Sequence, residues 1–388
     1  MKYLNPDKLH ALLQEHTLFD MGDGRIGGTG LCVMQDGREI YKSYNGPVSF
    51  ATGKPLAECG DSTIFRLASM TKPITTVAAL IQVSRGKLDL DAPISTLLPQ
   101  YSEMWVGHIV DGKVAPKELA KRPLTLRLLL NHTSGLGVAH PAVGNQEAAI
   151  TSEMRASLEA VTSIWSKSYL GFQPAEAQLY SPTAAFDVAA RLVEMTSDMP
   201  YDEFVRKEIT DPIGMTDTTF APTEEQWSRM IAMHDRQVVD GKGVGVDGSQ
   251  PACVFENYPV HSFCGGAGLC ATLPDYIRFA QFLLHEGVTA DGQRVLPAEW
   301  VKEMSTPCVP YEIMPFRERW GLGVRVITVE DHWMPKGCFG WSGAYGSHFW
   351  VDPVNKITAV YMKNSRHDGG SGARTSAVFE QDVYACLE

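Results

Sequence analysis

Strand-like runs stand at both ends of this 388-residue chain with helical patterns between them, and that distribution constrains the fold more than any other feature. Near the start, β-prone runs at 29–34 and 39–44 flank Gln35-Asp36-Gly37-Arg38. An Asp-Gly pair between such runs signals a tight hairpin, because the turn that matches strand twist needs positive φ at both central residues. An amphipathic stretch from about Pro6 to Glu15 precedes it and predicts a helix. A helix followed by a hairpin begins an antiparallel sheet, since parallel neighbours need a long crossover. Strand patterns return at 321–326, 347–352 and 357–362, and 380–387 predicts a closing helix. Between them, from about Leu88 to Val260, helical patterns and loops dominate, including a polar, glycine-rich stretch at 240–250 read as loop. The expectation is an α+β fold: an antiparallel sheet flanked by helices, built from both termini, with a mostly helical inserted region. In that division residues 1–87 and 261–388 form the sheet-bearing domain, and 88–260 the helical one that contributes Tyr180.

Composition narrows the function classes. Hydrophobic content of 44% and charged content of 20% are those of a globular chain. A net charge of -11 opposes phosphate backbones and anionic lipid, so neither nucleic acid nor membrane is an expected partner. No run approaches the roughly 18 apolar residues of a bilayer span, and the amino terminus shows no secretory pattern. A cytoplasmic location is expected. The eight cysteines form no CxxC pair and are expected as reduced thiols, and the eleven histidines show no paired-ligand spacing. No metal or other cofactor is expected.

The sharpest chemical feature is Phe65-Arg66-Leu67-Ala68-Ser69-Met70-Thr71-Lys72-Pro73. Ile74, Val77, Ala78 and Ile81 follow at helical spacing, and Arg85-Gly86 supplies a basic last turn with a left-handed cap. Pro73 is tolerated only near a helix start, which puts Ser69 at the amino end. Residues three apart share a helix face, so the Lys72 amine can reach the Ser69 hydroxyl. Burial and the positive helix end both disfavour an ammonium, and a neutral or proton-sharing lysine can then act as base. Alone, Ser-x-x-Lys is common by chance, and the bland alternative is a capping serine beside a surface lysine.

Further landmarks remove that ambiguity. Leu128-Leu129-Leu130-Asn131-His132-Thr133-Ser134-Gly135-Leu136, Asp211-Pro212-Ile213-Gly214-Met215-Thr216-Asp217-Thr218, and Gly265-Gly266-Ala267-Gly268-Leu269 before Asp275-Tyr276 follow in order. With the Ser69 segment they make the chain resemble the β-lactamase-like, penicillin-binding-protein-like serine hydrolases, from about residue 15 to 385. That family includes class C β-lactamases, D-alanyl-D-alanine peptidases, D-aminopeptidases and family VIII carboxylesterases. The resemblance implies Ser69 as nucleophile, with Lys72 and Tyr180 moving protons. Tyr180 opens Tyr180-Ser181-Pro182, where β-lactamases carry Tyr-x-Asn; Pro182 has no amide, and the Tyr-Ser-x form is nearer the esterases. Ser181 is expected to cap the next helix, with Pro182 as its first residue.

The run Phe339-Gly340-Trp341-Ser342-Gly343-Ala344-Tyr345-Gly346 resembles the strand that carries Lys-Thr-Gly in β-lactamases, with Trp341 replacing the lysine. A lysine there would pair with a substrate carboxylate; tryptophan cannot, and better forms a wall for an uncharged group. The resemblance implies an oxyanion hole from the amides of Ser69 and Ala344, with Trp341, Ser342 and Gly343 lining the substrate site. It therefore implies a carboxylesterase on small esters, working through an acyl-enzyme, with weak or no β-lactamase activity. D-aminoacyl amidase or peptidase, β-lactamase and acyltransferase activities are the alternatives, and a non-catalytic binding protein is the rival outside enzymes. The partner expected is a small-molecule ester or amide.

Other patterns fail their context. Gly22-Asp23-Gly24-Arg25-Ile26-Gly27 matches a dinucleotide-binding spacing but lacks a preceding strand and a following helix, and is expected as a flexible loop. Gly340-Trp341-Ser342-Gly343-Ala344 lacks the last glycine of a nucleophile elbow. His132 and His348 are expected to be structural.

Overall fold

The computed structural model describes residues 2–22, 24–50, 56–151, 153–248, 262–313, 317–370 and 373–388. Eight antiparallel strands form the central sheet: β1 (Thr29–Gln35), β2 (Arg38–Asn45), β3 (Glu312–Ile313), β4 (Glu318–Trp320), β5 (Arg325–Ile327), β6 (Phe339–Ser342), β7 (His348–Asp352) and β8 (Ile357–Lys363). Their spatial order is β3-β4-β5-β6-β7-β8-β1-β2, so strands from the two ends of the chain meet at the β8–β1 pair, with Cys32 opposite Val360.

Both faces of this sheet are covered, and for that reason its central strands are apolar almost throughout. Leu31, Val33, Trp350, Ala359 and Tyr361 face α1 (Pro6–Gly22) and the carboxy-terminal Arg374–Ala385 helix, in a cluster with Leu9, Leu13, Phe379 and Val383. Their neighbours Cys32, Phe349, Val351, Val360 and Met362 point the opposite way into the larger core. There α2 (Thr71–Ser84), α3 (Ala184–Ser197) and α4 (Leu273–Leu284) pack, with Tyr276 edge-on to Phe349 at 5.1 Å. The carboxy-terminal helix is α5. The architecture is α+β, with helices on both faces of an antiparallel sheet.

The Asp36-Gly37 hairpin forms as expected, with φ of 49° and 73°. Two more hairpins use the same turn: 105–110 with 113–119 around Asp111-Gly112, and 234–239 with 242–247 around Asp240-Gly241. The second corrects the reading of 240–250 as loop over 242–247; residues 249 and 250 lie outside the described residues. Beyond His234 its strands are largely exposed, so no apolar alternation marks them and only the turn chemistry remains. The run 321–326 is also not one strand: Gly321-Leu322-Gly323 turns between β4 and β5, with Gly323 at φ 67°. Helix α1 extends beyond Glu15 to Gly22, and α5 begins at Arg374 instead of 380 because its first turn, Arg374-Thr375-Ser376, is polar. The connection after Gly24 is packed, not a loose loop: a Cβ on Gly27 would lie 2.1 Å from the His234 ring.

Among the described residues no helix is long and apolar enough to cross a membrane, and no group of three or more His, Cys, Asp or Glu is placed to hold a metal. Seven cysteines are free; Cys253 lies outside the described residues.

His234 gives a prediction about stability. It is 1% exposed, neither ring nitrogen has a partner among the described residues, and burial pulls its pKa down to about 4. Between about pH 6.5 and pH 4 the unfolded chain takes up a proton that the folded chain refuses, so stability is lost as pH falls through that window. The loss from this group amounts to about 3 kcal/mol. Urea unfolding at pH 7 and pH 4 should show a smaller acid loss in His234→Asn than in the parent; an equal loss refutes the assignment.

Candidate active site

The candidate nucleophile is set by local backbone. Strand residues 64–66 pair with 270–272 and lead into a tight turn, Ala68–Met70, that runs directly into α2. Ala68 has φ 48°, a conformation unfavourable for a residue with a Cβ, and it bends the chain between strand and helix. Ser69 is half-buried where its neighbours from Thr63 to Gln82 are buried. Pro73 is the third residue of α2, where no ladder hydrogen bond is lost, and Ile74, Val77, Ala78 and Ile81 are buried as their spacing predicts. Gly86 ends the segment at φ 67°.

Lys72 is fully buried one turn on. Its Nζ donates to Ser69 Oγ at 3.2 Å, to the Pro182 carbonyl at 2.6 Å and to the Gly266 carbonyl at 2.8 Å. Three acceptors match the three donors of an ammonium, whereas a neutral amine would leave one direction without a proton to give. Of the neutral or proton-sharing lysine expected from sequence, the neutral form does not suit this resting geometry. Two aromatic faces add to it, with Nζ 4.8 Å from the Tyr180 ring centre and 5.2 Å from that of Phe186.

Tyr180 comes from a segment more than one hundred residues away, and its hydroxyl donates to Ser69 Oγ at 2.7 Å. The Trp341 indole N–H donates to the same phenolic oxygen at 3.4 Å. Helix α3 begins at Ala184 with Thr183 at its cap position, two residues later than expected, yet the Ser181 hydroxyl still accepts from the Ala185 amide at 3.1 Å. That delay frees the Pro182 carbonyl to hold Lys72.

His132 supports the tyrosine from behind. Its ring lies 4.6 Å from Tyr180 and 4.3 Å from Trp320, and its Nδ1 accepts the Ser181 amide at 3.1 Å. Complete burial, and then the charge of Lys72, push its pKa well below the ordinary histidine range, so the ring is neutral. It touches the residue after Tyr180 and not Ser69, which suits a positioning role.

Along β6 the side chains alternate. Trp341 faces Tyr180, with ring centres 5.5 Å apart. Ser342, expected beside the substrate, consequently points through the opposite face, where its hydroxyl meets His348 Nδ1 at 2.8 Å and is 3% exposed. His348 in turn bonds Glu380 of α5 at 2.9 Å. This buried chain of contacts lies behind the sheet, and a one-residue parity decides it. Gly343 meets the nucleophile turn: a Cβ there would lie 2.3 Å from the Leu67 carbonyl oxygen. Ser347 donates to that same carbonyl at 3.1 Å. Ala344 follows, exposed, in the turn after β6. Sequence reasoning overlooked the carbonyls of Pro182 and Gly266; the paired glycines 265–266 were the available sign, because Cβ atoms there would lie 2.3 Å from the Phe186 oxygen and 2.7 Å from the Pro182 oxygen.

Comparison with known proteins identifies the family. The chain is 28% identical to Esterase EstB of Burkholderia gladioli, covering 93% of this chain and 91% of that one. It is 26% identical to Acyltransferase calJ of Penicillium decumbens, covering 90% and 87%. The solved structure of EstCE1, described as a hydrolase with promiscuous acyltransferase activity, superposes with a TM-score of 0.77 at 23% identity, over 98% and 99% of the two chains. The Beta-lactamase family model matches residues 14–381, and the chain belongs to that family.

Proposed function

We propose that the chain is a serine hydrolase of small, uncharged esters that works through an acyl-enzyme on Ser69. The observation that carries this reading is the convergence of the Tyr180 hydroxyl, at 2.7 Å, and the Lys72 amine, at 3.2 Å, on one half-buried serine oxygen. In the proposed step Tyr180 has first lost its proton to solvent, so the Tyr180–Ser69 hydrogen bond reverses and the Ser69 hydroxyl donates to a phenolate. The phenolate accepts the Ser69 proton while Oγ attacks the ester carbonyl, and the Lys72 ammonium and Trp341 N–H stabilise its charge before transfer. The amides of Ser69 and Ala344 receive the oxyanion. Tyr180 then passes the proton to the departing alkoxide, takes one from the water that attacks the acyl carbonyl, and returns it to Ser69 Oγ as the acid is released. Residues 88–260 supply Tyr180 in this reading, and the remainder of the chain supplies Ser69 and Trp341.

Trp341 carries the choice of substrate. It stands where the β-lactamases have a lysine, is 6% exposed, and turns its only polar group toward Tyr180, so this position offers no charge to a carboxylate. Absence of that charged hydrogen bond costs an anionic substrate about ten- to a hundred-fold in kcat/KM. A panel of p-nitrophenyl acetate and butyrate, nitrocefin and D-alanine p-nitroanilide tests this. The esters should be turned over with the highest kcat/KM; preference for nitrocefin or the anilide would reject the substrate assignment. Likeness to a protein named an acyltransferase favours one second reading, in which an alcohol takes the acyl group from Ser69. Adding a primary alcohol and measuring new ester against free acid separates the two.

A further inference from the structure

Beneath Lys72 lies a buried ionic cluster that the proposed reaction does not use. Arg155 donates to Glu147 at 2.7 Å, to Asp187 at 3.1 Å and to the Thr183 hydroxyl at 3.0 Å. Thr183 donates to the same Glu147 oxygen at 2.6 Å, and Asp187 accepts the Gly265 amide at 3.1 Å. Arg155 and Asp187 side chains are 4% and 0% exposed and Glu147 20%. Burial pushes the Glu147 carboxyl upward, offset by its bond from Thr183 and the charge of Arg155.

Each tie falls beside an acceptor of Lys72. Thr183 follows Pro182, and Gly265 precedes Gly266; those two carbonyls hold the lysine. The cluster thus ties down both segments from one point. The charges also match: Arg155 and an ammonium at Lys72 balance Glu147 and Asp187. The other titratable groups facing the cluster are the Cys264 thiol, which burial first and Asp187 next keep protonated, and the phenols of Tyr101 and Tyr201, which burial keeps neutral.

We propose that Arg155, Glu147 and Asp187 are positioning residues for Lys72, holding its two carbonyl acceptors in place and balancing its charge so that it stays aimed at Ser69. This rests on the reading of Ser69 and Lys72 above. An isolated structural ion pair would stabilise the fold without touching proton transfer, so the test reads the pH profile. Removing the Glu147 charge takes a negative charge away from the reacting groups, which favours proton loss from the site as a whole.

The experiment measures kcat/KM for p-nitrophenyl butyrate from pH 5 to 10 in the full-length protein. Its variants are Glu147→Gln, Arg155→Met, Arg155→Lys and Ser69→Ala, with thermal unfolding of each. Glu147→Gln, which keeps the acceptor oxygen, should shift the whole profile toward acid by on the order of one pH unit. Arg155→Met should lose about a hundred-fold at the optimum, and Arg155→Lys should recover part of it, since it restores charge but not the fork. A folded Glu147→Gln with an unmoved profile overturns the proposal even if Arg155→Met does not fold. Activity surviving in Ser69→Ala would instead reject the underlying site; a dead Ser69→Ala with unmoved cluster variants rejects only this inference.

Discussion

Tyr180→Phe should lower kcat for p-nitrophenyl butyrate by about a hundred- to ten-thousand-fold, the range over which a positioned acid–base group acts. The substitution removes one oxygen and keeps the ring. That ring packs against His132, Trp320 and Trp341, so these contacts survive. Among the described residues the lost oxygen bonds only Ser69 and the Trp341 indole, and Tyr180 is half-buried, so the fold should lose no more than about 1 kcal/mol. A large loss in kcat with near-parental unfolding temperature is the expected pair of results. A small loss, below about ten-fold, would mean that Lys72 handles the serine proton without the phenol.

The second large effect concerns stability, behind the sheet. Arg325 of β5 is 5% exposed and pairs with both Glu318 of β4 and Glu380 of α5. Glu380 also accepts from His348 and from the Trp333 indole. Arg325→Met leaves two buried carboxylates without their cation, and breaking one side of a buried pair costs about 3–5 kcal/mol. The sign with pH follows from the carboxylates. Burial raises Glu318 to about 7 even with Arg325 present, whereas Arg325 and His348 together outweigh burial and hold Glu380 at about 2. Without the guanidinium both should favour protonation, so the variant's deficit should be largest near pH 8 and shrink toward pH 5. Denaturant unfolding at the two pH values checks this; a deficit independent of pH would place the effect in packing alone.

Legibility in the sequence followed the range of the interaction. Ser69, Lys72 and the stripe from Ile74 to Ile81 are a local pattern, and the buried helix forms where that spacing puts it. Tyr180 could be picked out because a helix start follows it, although the cap expected at Ser181 lies two residues later, at Thr183. The Asp-Gly turn at 36–37 was read, while the same dipeptide at 111–112 and 240–241 went unread because its exposed strands lack apolar alternation. Ser342 was placed on the wrong side of β6: its neighbour Trp341 reaches Tyr180, and strand alternation then sends Ser342 to His348. The acceptors of Lys72 are backbone carbonyls, which every residue has, and the Glu147–Arg155–Asp187 cluster joins residues that only tertiary packing brings together. No spacing rule marks either.

Mass spectrometry after reaction with a fluorophosphonate tests the nucleophile most directly. Activated by the groups around it, one oxygen should take one phosphonyl group, with fluoride leaving, and peptide mapping should place it on Ser69. Ser69→Ala should gain no mass, while Ser342→Ala should be labelled like the parent. Label on another residue, or on Ser69→Ala at the parental rate, would contradict the account.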